Sequence, residues 1–260
     1  MPALRGRGWA GGGLGIAAVL GVWAVLATTV LSAGDGVPTP WAVVHQLYTD
    51  GWGFYSPHVI ETLKEAGTGY LLGNLLALGC ALLVLLVPAL EKVIMQLAVA
   101  SYCLPLVAVG PILSITLSGS HPMSALAALA VFFTTLVGML LGLRSADTTS
   151  LDLVTAFGGG RWAQLRRVRI MAALPATFAA LKVAAPSALL GAIIGEYLGR
   201  VDAGLGIAMT ISQQSLQVPR TWALAAVAGA VAGIGYGLTG LVGRLATPWA
   251  QATTAAGGTG

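Results

Sequence analysis

Charge is what this sequence has least of. Of its 260 residues only 8% are Asp, Glu, Lys or Arg, whereas 57% are hydrophobic. An ordinary soluble domain carries roughly 25% charged residues. So few charges cannot coat a soluble globule of this size. Disorder is excluded from the other side, because far too much apolar surface is present. Cysteine is nearly absent as well. Cys80 and Cys103 both lie in apolar runs, form no CxxC pair and frame no disulfide scaffold. They are expected as small hydrophobes facing a helix bundle. His45, His58 and His121 are scattered without metal-site spacing. The three lysines, Lys64, Lys92 and Lys182, follow Leu, Glu and Leu, so no Gly-Lys-Ser/Thr phosphate loop exists. The chain is therefore expected to hold no cofactor or metal and to have no catalytic residues of its own. The excess of 13 basic over 9 acidic residues needs an explanation other than nucleic acid.

What the sequence has in abundance is long apolar runs. A membrane-crossing helix needs about 20 such residues. The charge-free gaps predict six, near 14–33, 67–88, 94–117, 123–143, 174–197 and 222–243. Ser118-Gly119-Ser120-His121-Pro122 supplies the turn between the third and fourth. The first run is longer than the 7–15 apolar residues of a signal peptide core, so a retained helix is favoured over a leader cleaved near Ala33. Lys182 falls in the fifth span, near one end, where its stem can snorkel to the headgroups. Pro186 would kink that helix.

Basic residues orient the spans. With the N-terminus inside, Arg5, Arg7, Lys92, Arg144, Arg161, Arg166, Arg167, Arg169 and Arg244 fall on the inner side. Lys64, Arg200 and Arg220 fall outside, together with all three histidines. Both termini are then cytoplasmic, with 1–13 and a flexible 246–260 flanking a membrane domain at 14–245. The positive excess is a topology signal directed at anionic membrane lipid, with no role for nucleic acid.

One inner connection, about 144–173, is too long for a hairpin. Thr148-Thr149-Ser150 offers capping chemistry ahead of a short helix from about 150 to Phe157. Gly158-Gly159-Gly160 ends it, and Arg161-Trp162 starts another. Leu153, Val154 and Phe157 share one face. Physics alone leaves two readings open: a helix lying in the headgroups, or a dock for a cytoplasmic partner.

This connection resembles the corresponding loop of permease subunits of bacterial ABC importers. Asp152-Leu153-Val154 stands where the family has Glu-Ala-Ala, and Gly158, Val168 and Leu174-Pro175 follow at matching positions. Gly158 to Trp162 and Arg166-Arg167-Val168 look like the sulfonate, taurine and nitrate branch. Three further segments agree with that branch in order: His58, Thr62, Leu63, Gly69 and Tyr70; Leu104-Pro105 to Gly110-Pro111; and Gly195-Glu196, Gly199, Gly204-Leu205-Gly206. The resemblance covers about 14–245.

It implies an all-α, six-helix permease fold of the type I importer class. Cytoplasmic ATPases carrying ATP and Mg would engage the loop at Asp152, Leu153, Val154, Phe157, Gly158, Arg161 and Trp162. An external solute-binding protein and a second permease copy would complete the assembly in a bacterial inner membrane. Gly158 is expected either for its conformation or for close approach to a partner. Asp152 would sit near the short helix's N-terminal end, as a cap or as an ATPase contact.

Candidates for the pathway or its gates are Ser101, Tyr102, Pro105, Pro111, Ser187 and Glu196. Pro105 and Pro111 are expected in one helix, each removing a backbone bond. Glu196 is expected near the outer edge of the fifth span, within reach of water. Gly191, Gly195 and Gly199, and Gly229, Gly233 and Gly237, are expected to be packing faces. An ion-gradient-driven secondary transporter remains the alternative. It would be expected to show internal repeats and several intramembrane carboxylates.

Overall fold

The computed structural model describes residues 7–29, 36–199 and 201–250, and every regular element among them is helical. Arg5, Ala33, Asp35, Arg200 and the 251–260 part of the tail lie outside these residues. The helices are α1 (Arg7–Thr28), α2 (Pro40–Leu86), α3 (Glu91–Cys103), α4 (Leu106–Thr116), α5 (His121–Arg144), α6 (Thr148–Ala156), α7 (Arg161–Gln164), α8 (Ile170–Leu198), α9 (Leu205–Gln214) and α10 (Val218–Ala246). A π-turn over Leu165–Arg169 joins α7 to α8, making one 38-residue helix from Arg161 to Leu198.

Four of these are long and apolar enough to cross a membrane: α2, α5, the α7–α8 helix and α10. A fifth crossing results if α3 and α4 are taken together, although they meet at 96°. The apolar part of α1, Gly12–Thr28, is shorter than these. The 94–117 run is therefore not one straight span. Leu104 and Pro105 are both extended, and Pro105 is the residue ahead of α4. A residue before proline is pushed out of the α-region, so the break falls at Leu104-Pro105. Pro111 alone lies inside a helix there.

The second span begins much earlier than its apolar run. Thr39 caps α2, accepting from the Ala42 N–H, and Pro40 occupies the first helical turn. Gly51, at φ 67° and ψ 167°, breaks α2 into two pieces. From Tyr55 on, the buried residues Val59, Thr62, Ala66, Gly69, Gly73, Ala77, Ala81 and Val84 trace one stripe with helical spacing.

That stripe packs on α5, which is the centre of the bundle. Close approach is set by small residues. A Cβ on Gly69 would stand 2.3 Å from Ala127 Cβ, and one on Gly73 2.5 Å from the Ala128 carbonyl oxygen. On the other side of α5, a Cβ on Gly191 would lie 2.7 Å from Ala127 Cα, and one on Gly195 2.8 Å from Met123 Cα. Gly138 and Gly142 make the reciprocal contacts with Ala180 and Ala173 of α8. Apolar side chains gain little from meeting each other in lipid, so tight backbone approach must supply the cohesion. Thr135 of α5 adds a buried 2.5 Å hydrogen bond to Asn74 Oδ1 of α2.

The expected face at Gly191, Gly195 and Gly199 is thus a packing face within the chain. Among the described residues, nothing beyond the adjoining helix backbone would lie within 4 Å of a Cβ on Gly229, Gly233 or Gly237. Lys182 sits well inside α8 and holds its ammonium 4.2 Å from the Tyr236 ring centre rather than reaching a helix end. Cys80 packs against the apolar core, whereas Cys103 is exposed just before the bend.

The bundle has two distinct ends. At one, Arg144 pairs with Glu91, and Arg161 and Trp162 border the same cleft as Val84 and Pro88. At the other, the α2 segment around His58 meets the end of α8, α9 and the start of α10. There Arg220 grips Asp50 through two bonds of 2.6 and 3.0 Å, while Gln46 and Tyr55 also donate to Asp50. α1 is tied to this end by a Trp23–Trp222 stack, with ring centres 5.5 Å apart.

Candidate functional site

The 144–173 connection folds as a helix–turn–helix unit. The cap of α6 is Asp147, which accepts from the Ser150 N–H at 3.0 Å and from the Ser150 hydroxyl at 3.0 Å. These bonds hold the Asp147 carboxyl below the usual carboxylate range. Capping thus falls one residue before the Thr148-Thr149-Ser150 run, and Asp152 is not the cap. Asp152 is the fifth residue of α6, beyond its first turn. It is exposed, beside Thr149, Leu153 and Ala156.

Gly158 closes α6 at φ 78°, and a Cβ there would meet nothing within 4 Å among the described residues. Of the two reasons for a glycine, conformation is therefore the one visible within this chain. The Gly158 and Gly159 N–H groups return to the Thr155 and Val154 carbonyls at 2.9 and 2.8 Å. Gly159 is the crowded position, because its Cβ would stand 2.5 Å from Val154 Cγ1. Gln164 then staples α7 back onto α6, donating to the Leu151 carbonyl at 3.2 Å and the Thr155 hydroxyl at 2.8 Å.

The result is a folded projection with an uncovered apolar face. Phe157 is 85% exposed, Trp162 68% and Leu153 59%. Val154 is half-buried against Gly159, and Arg161 borders the cleft shared with α2 and α5. Arg166, Arg167 and Arg169 lie in the π-turn, where the helix surface changes phase.

At the opposite end, the remaining motif segments converge. The amide of the α9 cap and the first two amides of α9 each find a partner from elsewhere in the chain. Gly204 N–H donates to His58 Nδ1 at 3.1 Å. Leu205 N–H donates to Thr62 Oγ1 at 2.8 Å. Gly206 N–H donates to Glu196 Oε2 at 2.5 Å. Thr62 in turn donates to Glu196 Oε1 at 2.6 Å. His58 and Thr62 are one turn apart on α2, so one helix face presents both acceptors.

This closure explains the glycines. Gly204 has φ 150°, and a Cβ there would stand 2.4 Å from the Glu196 carboxyl carbon. A Cβ on Gly206 would lie 2.6 Å from the Ile193 carbonyl oxygen. Glu196 is fully buried, not water-facing as its place near a helix end suggested. Its carboxylate replaces solvent at a helix N-terminus, where unpaired N–H groups favour an anion. The sequence reasoning also missed Glu65, buried beside Glu196, because it served only to mark the edge of an apolar gap. Its signal was the helical stripe Thr62, Glu65, Gly69, Gly73.

The other pathway candidates do not gather into one site. The Ser101 hydroxyl donates to the Ala98 carbonyl and the Ser187 hydroxyl to the Val183 carbonyl. Tyr102 is exposed and stacks on Phe133, with centres 4.6 Å apart. Pro105 sits at the bend and Pro111 within α4. Glu196 belongs instead to the buried α2–α8–α9 junction.

A multi-pass helical membrane subunit with a folded, apolar-faced projection at its arginine-rich end is the class these features define. The chain belongs to the family described as binding-protein-dependent transport system inner membrane component, whose signature matches residues 69–250. It is the permease component of such an ABC transporter, and the family is not itself an enzyme. Membership implies ATPase subunits and, for an importer, a solute-binding protein as partners.

The chain is 31% identical over 204 residues to a probable ABC transporter permease protein of Haemophilus influenzae, covering 78% of this chain and 82% of that one. It is 30% identical over 162 residues to the riboflavin transport system permease protein of Chloroflexus aurantiacus, covering 62% and 60%. It is 28% identical over 171 residues to the formylaminopyrimidine transport permease protein of Halalkalibacterium halodurans, covering 65% and 68%. None of these names carries the sulfonate, taurine or nitrate label that the motifs suggested.

Proposed function

We propose that this chain forms one half of the translocation pathway of an ATP-driven importer and receives its power stroke through the 152–164 segment. The observation that carries this reading is the exposed face of Leu153, Phe157 and Trp162 on a capped, stapled helix pair. A surface of large apolar side chains held in fixed geometry suits burial in a groove of a partner protein. Asp152, Arg161 and the arginines of the π-turn would border that contact. ATP and Mg would reside on the ATPase.

The same reading places the arginine-rich end and both termini in the cytoplasm of a bacterial cell, following the basic-residue asymmetry. It takes α1 as the first of six spans and the bent α3–α4 pair as the third. A second permease copy would complete the pathway. The relatives' names favour a small heterocyclic nutrient of the riboflavin or formylaminopyrimidine kind. The sulfonate, taurine and nitrate reading rests on the motif resemblance alone.

The test is reconstitution of the chain with its ATPase and binding protein in proteoliposomes, with labelled riboflavin, formylaminopyrimidine and taurine compared. ATP-dependent uptake is expected, and Leu153→Ser with Phe157→Ser should abolish ATPase copurification while leaving membrane insertion intact. Uptake that proceeds without ATP and collapses with an ion gradient would instead identify a secondary transporter.

A further inference from the structure

Glu65 and Glu196 are both buried, at 2% and 0% exposure, where α2, α8 and α9 meet. Glu196 has its acceptors engaged by the Thr62 hydroxyl and the Gly206 amide. Glu65 has no such support, for among the described residues no donor reaches either of its carboxyl oxygens. Glu65 follows Thr62 by about one turn on the same buried face of α2, and the Thr62 hydroxyl bonds Glu196 at 2.6 Å, which sets the two carboxyls in one junction. Two acceptors cannot bond to each other, so the contact requires something positive between them.

We propose that Glu65 and Glu196 form a proton-binding site: Glu65 carries the proton and donates it to the ionised Glu196, locking α9 onto α2 and α8. The direction follows from the surroundings. Glu196 receives an O–H and a backbone N–H, both of which stabilise its anion, whereas Glu65 receives nothing. Two like charges in contact in a buried site cannot both ionise.

Among the described residues, no charged side chain nearby substitutes for the proton. On α2, His58 uses Nδ1 as an acceptor for Gly204, Glu61 adds a further negative charge, and Lys64 pairs with Glu61 at 2.8 Å on the exposed face. On α8, Tyr197 donates to Met209. α5 faces the junction with Met123, Ser124 and Ala127. Arg220 at the start of α10 is held by Asp50. Loss of the proton would place two adjacent carboxylates beneath Gly204-Leu205-Gly206, and the three amide bonds that seat α9 would be strained together. The junction is thus a latch whose closed state takes up one proton. This inference does not depend on the solute or on the coupling loop.

The test is infrared spectroscopy of the purified full chain in lipid nanodiscs, which reads the carbonyl stretch of protonated carboxyl groups. At neutral pH the wild type should show such a band. It should persist in Glu61→Gln and vanish in Glu65→Gln, whose amide can still donate to Glu196. Between the ordinary carboxylate range and the pH at which the wild-type band disappears, the closed junction should weaken tenfold per pH unit, as a one-proton linkage requires, and level off above it. If Glu65→Gln fails to fold, Glu65→Asp must shift the band. The proposal is overturned if the wild type lacks the band at neutral pH, if Glu65→Gln leaves it unchanged, if Glu65→Asp leaves it unshifted, or if sodium rather than a proton stabilises the wild type through Glu65.

Discussion

Replacing Thr62 by valine deletes one hydroxyl and keeps the side-chain shape. In the native junction that hydroxyl accepts from Leu205 N–H at 2.8 Å and donates to Glu196 Oε1 at 2.6 Å. Thr62 is fully buried, so water cannot take over either role. The substitution therefore orphans one buried amide and one buried carboxylate oxygen, at about 1–3 kcal/mol each. Part of this is recovered if the junction loosens, so a net cost of about 3–4 kcal/mol is expected for opening α9. That corresponds to roughly two to three orders of magnitude in the opening equilibrium, at about 1.36 kcal/mol per tenfold. Thr62→Ser keeps the hydroxyl and removes one methyl, costing about 1 kcal/mol. Native-state hydrogen exchange at the Leu205 and Gly206 amides, measured in nanodiscs at fixed pH, separates the two. Rapid exchange in Thr62→Val with near-native protection in Thr62→Ser is the expected result. Equal protection in both variants would refute the idea that this hydroxyl seats α9.

The Gly158 series separates backbone conformation from contact with a partner. Asn tolerates positive φ, so Gly158→Asn should retain most ATPase copurification, Gly158→Ala should lose about 1–2 kcal/mol, and Gly158→Val should lose more. Loss that instead tracks side-chain size, with Asn as poor as Val, would mean that the partner itself packs against this position. Gly191→Leu should disrupt the α5–α8 contact and lower the thermal midpoint in detergent, because its Cβ alone would meet Ala127 Cα at 2.7 Å. A midpoint equal to that of the wild type would count against this packing. Asp50→Ala should destabilise the α2–α10 corner by about 2–3 kcal/mol, less than a fully enclosed pair because Arg220 is 29% exposed; an unchanged midpoint would show that the pair is dispensable. The Asp147 cap is held by bonds to its ionised form, so it persists above the unfolded-state value and is lost as pH falls through the lowered folded-state value. Protease sensitivity of α6 should therefore rise only in strong acid, and a change near neutrality would contradict this assignment.

The apolar runs of α5, α8 and α10 were legible because about 20 residues without charge have few other fates. The α6–turn–α7 unit was equally legible, since polar capping residues, a glycine run and a short apolar face lie consecutively in the chain. The Leu104-Pro105 bend was less so. A proline in an apolar run is compatible with a kink or with a complete break, and the neighbours of α3 and α4 decide between them. Glu65 is hidden from the apolar-run pattern for a related reason: hydropathy averages over a window and discards helical phase. Only its position on the Thr62–Gly69–Gly73 face marks it as buried.

The sequence alone determined the solvent of this protein, the ends at which its scarce basic residues cluster, and the segment that projects from one of them. Those properties are local or additive along the chain. Tertiary structure decided what His58, Thr62, Glu196 and Gly204-Leu205-Gly206 have to do with one another, because the acceptors on α2 lie more than 140 residues from the amides they serve. It also decided that Glu196 is buried rather than wet, and that it has a second carboxyl beside it. Burial and pairing are properties of the packed bundle, in which three helices must meet before two acids can share one site.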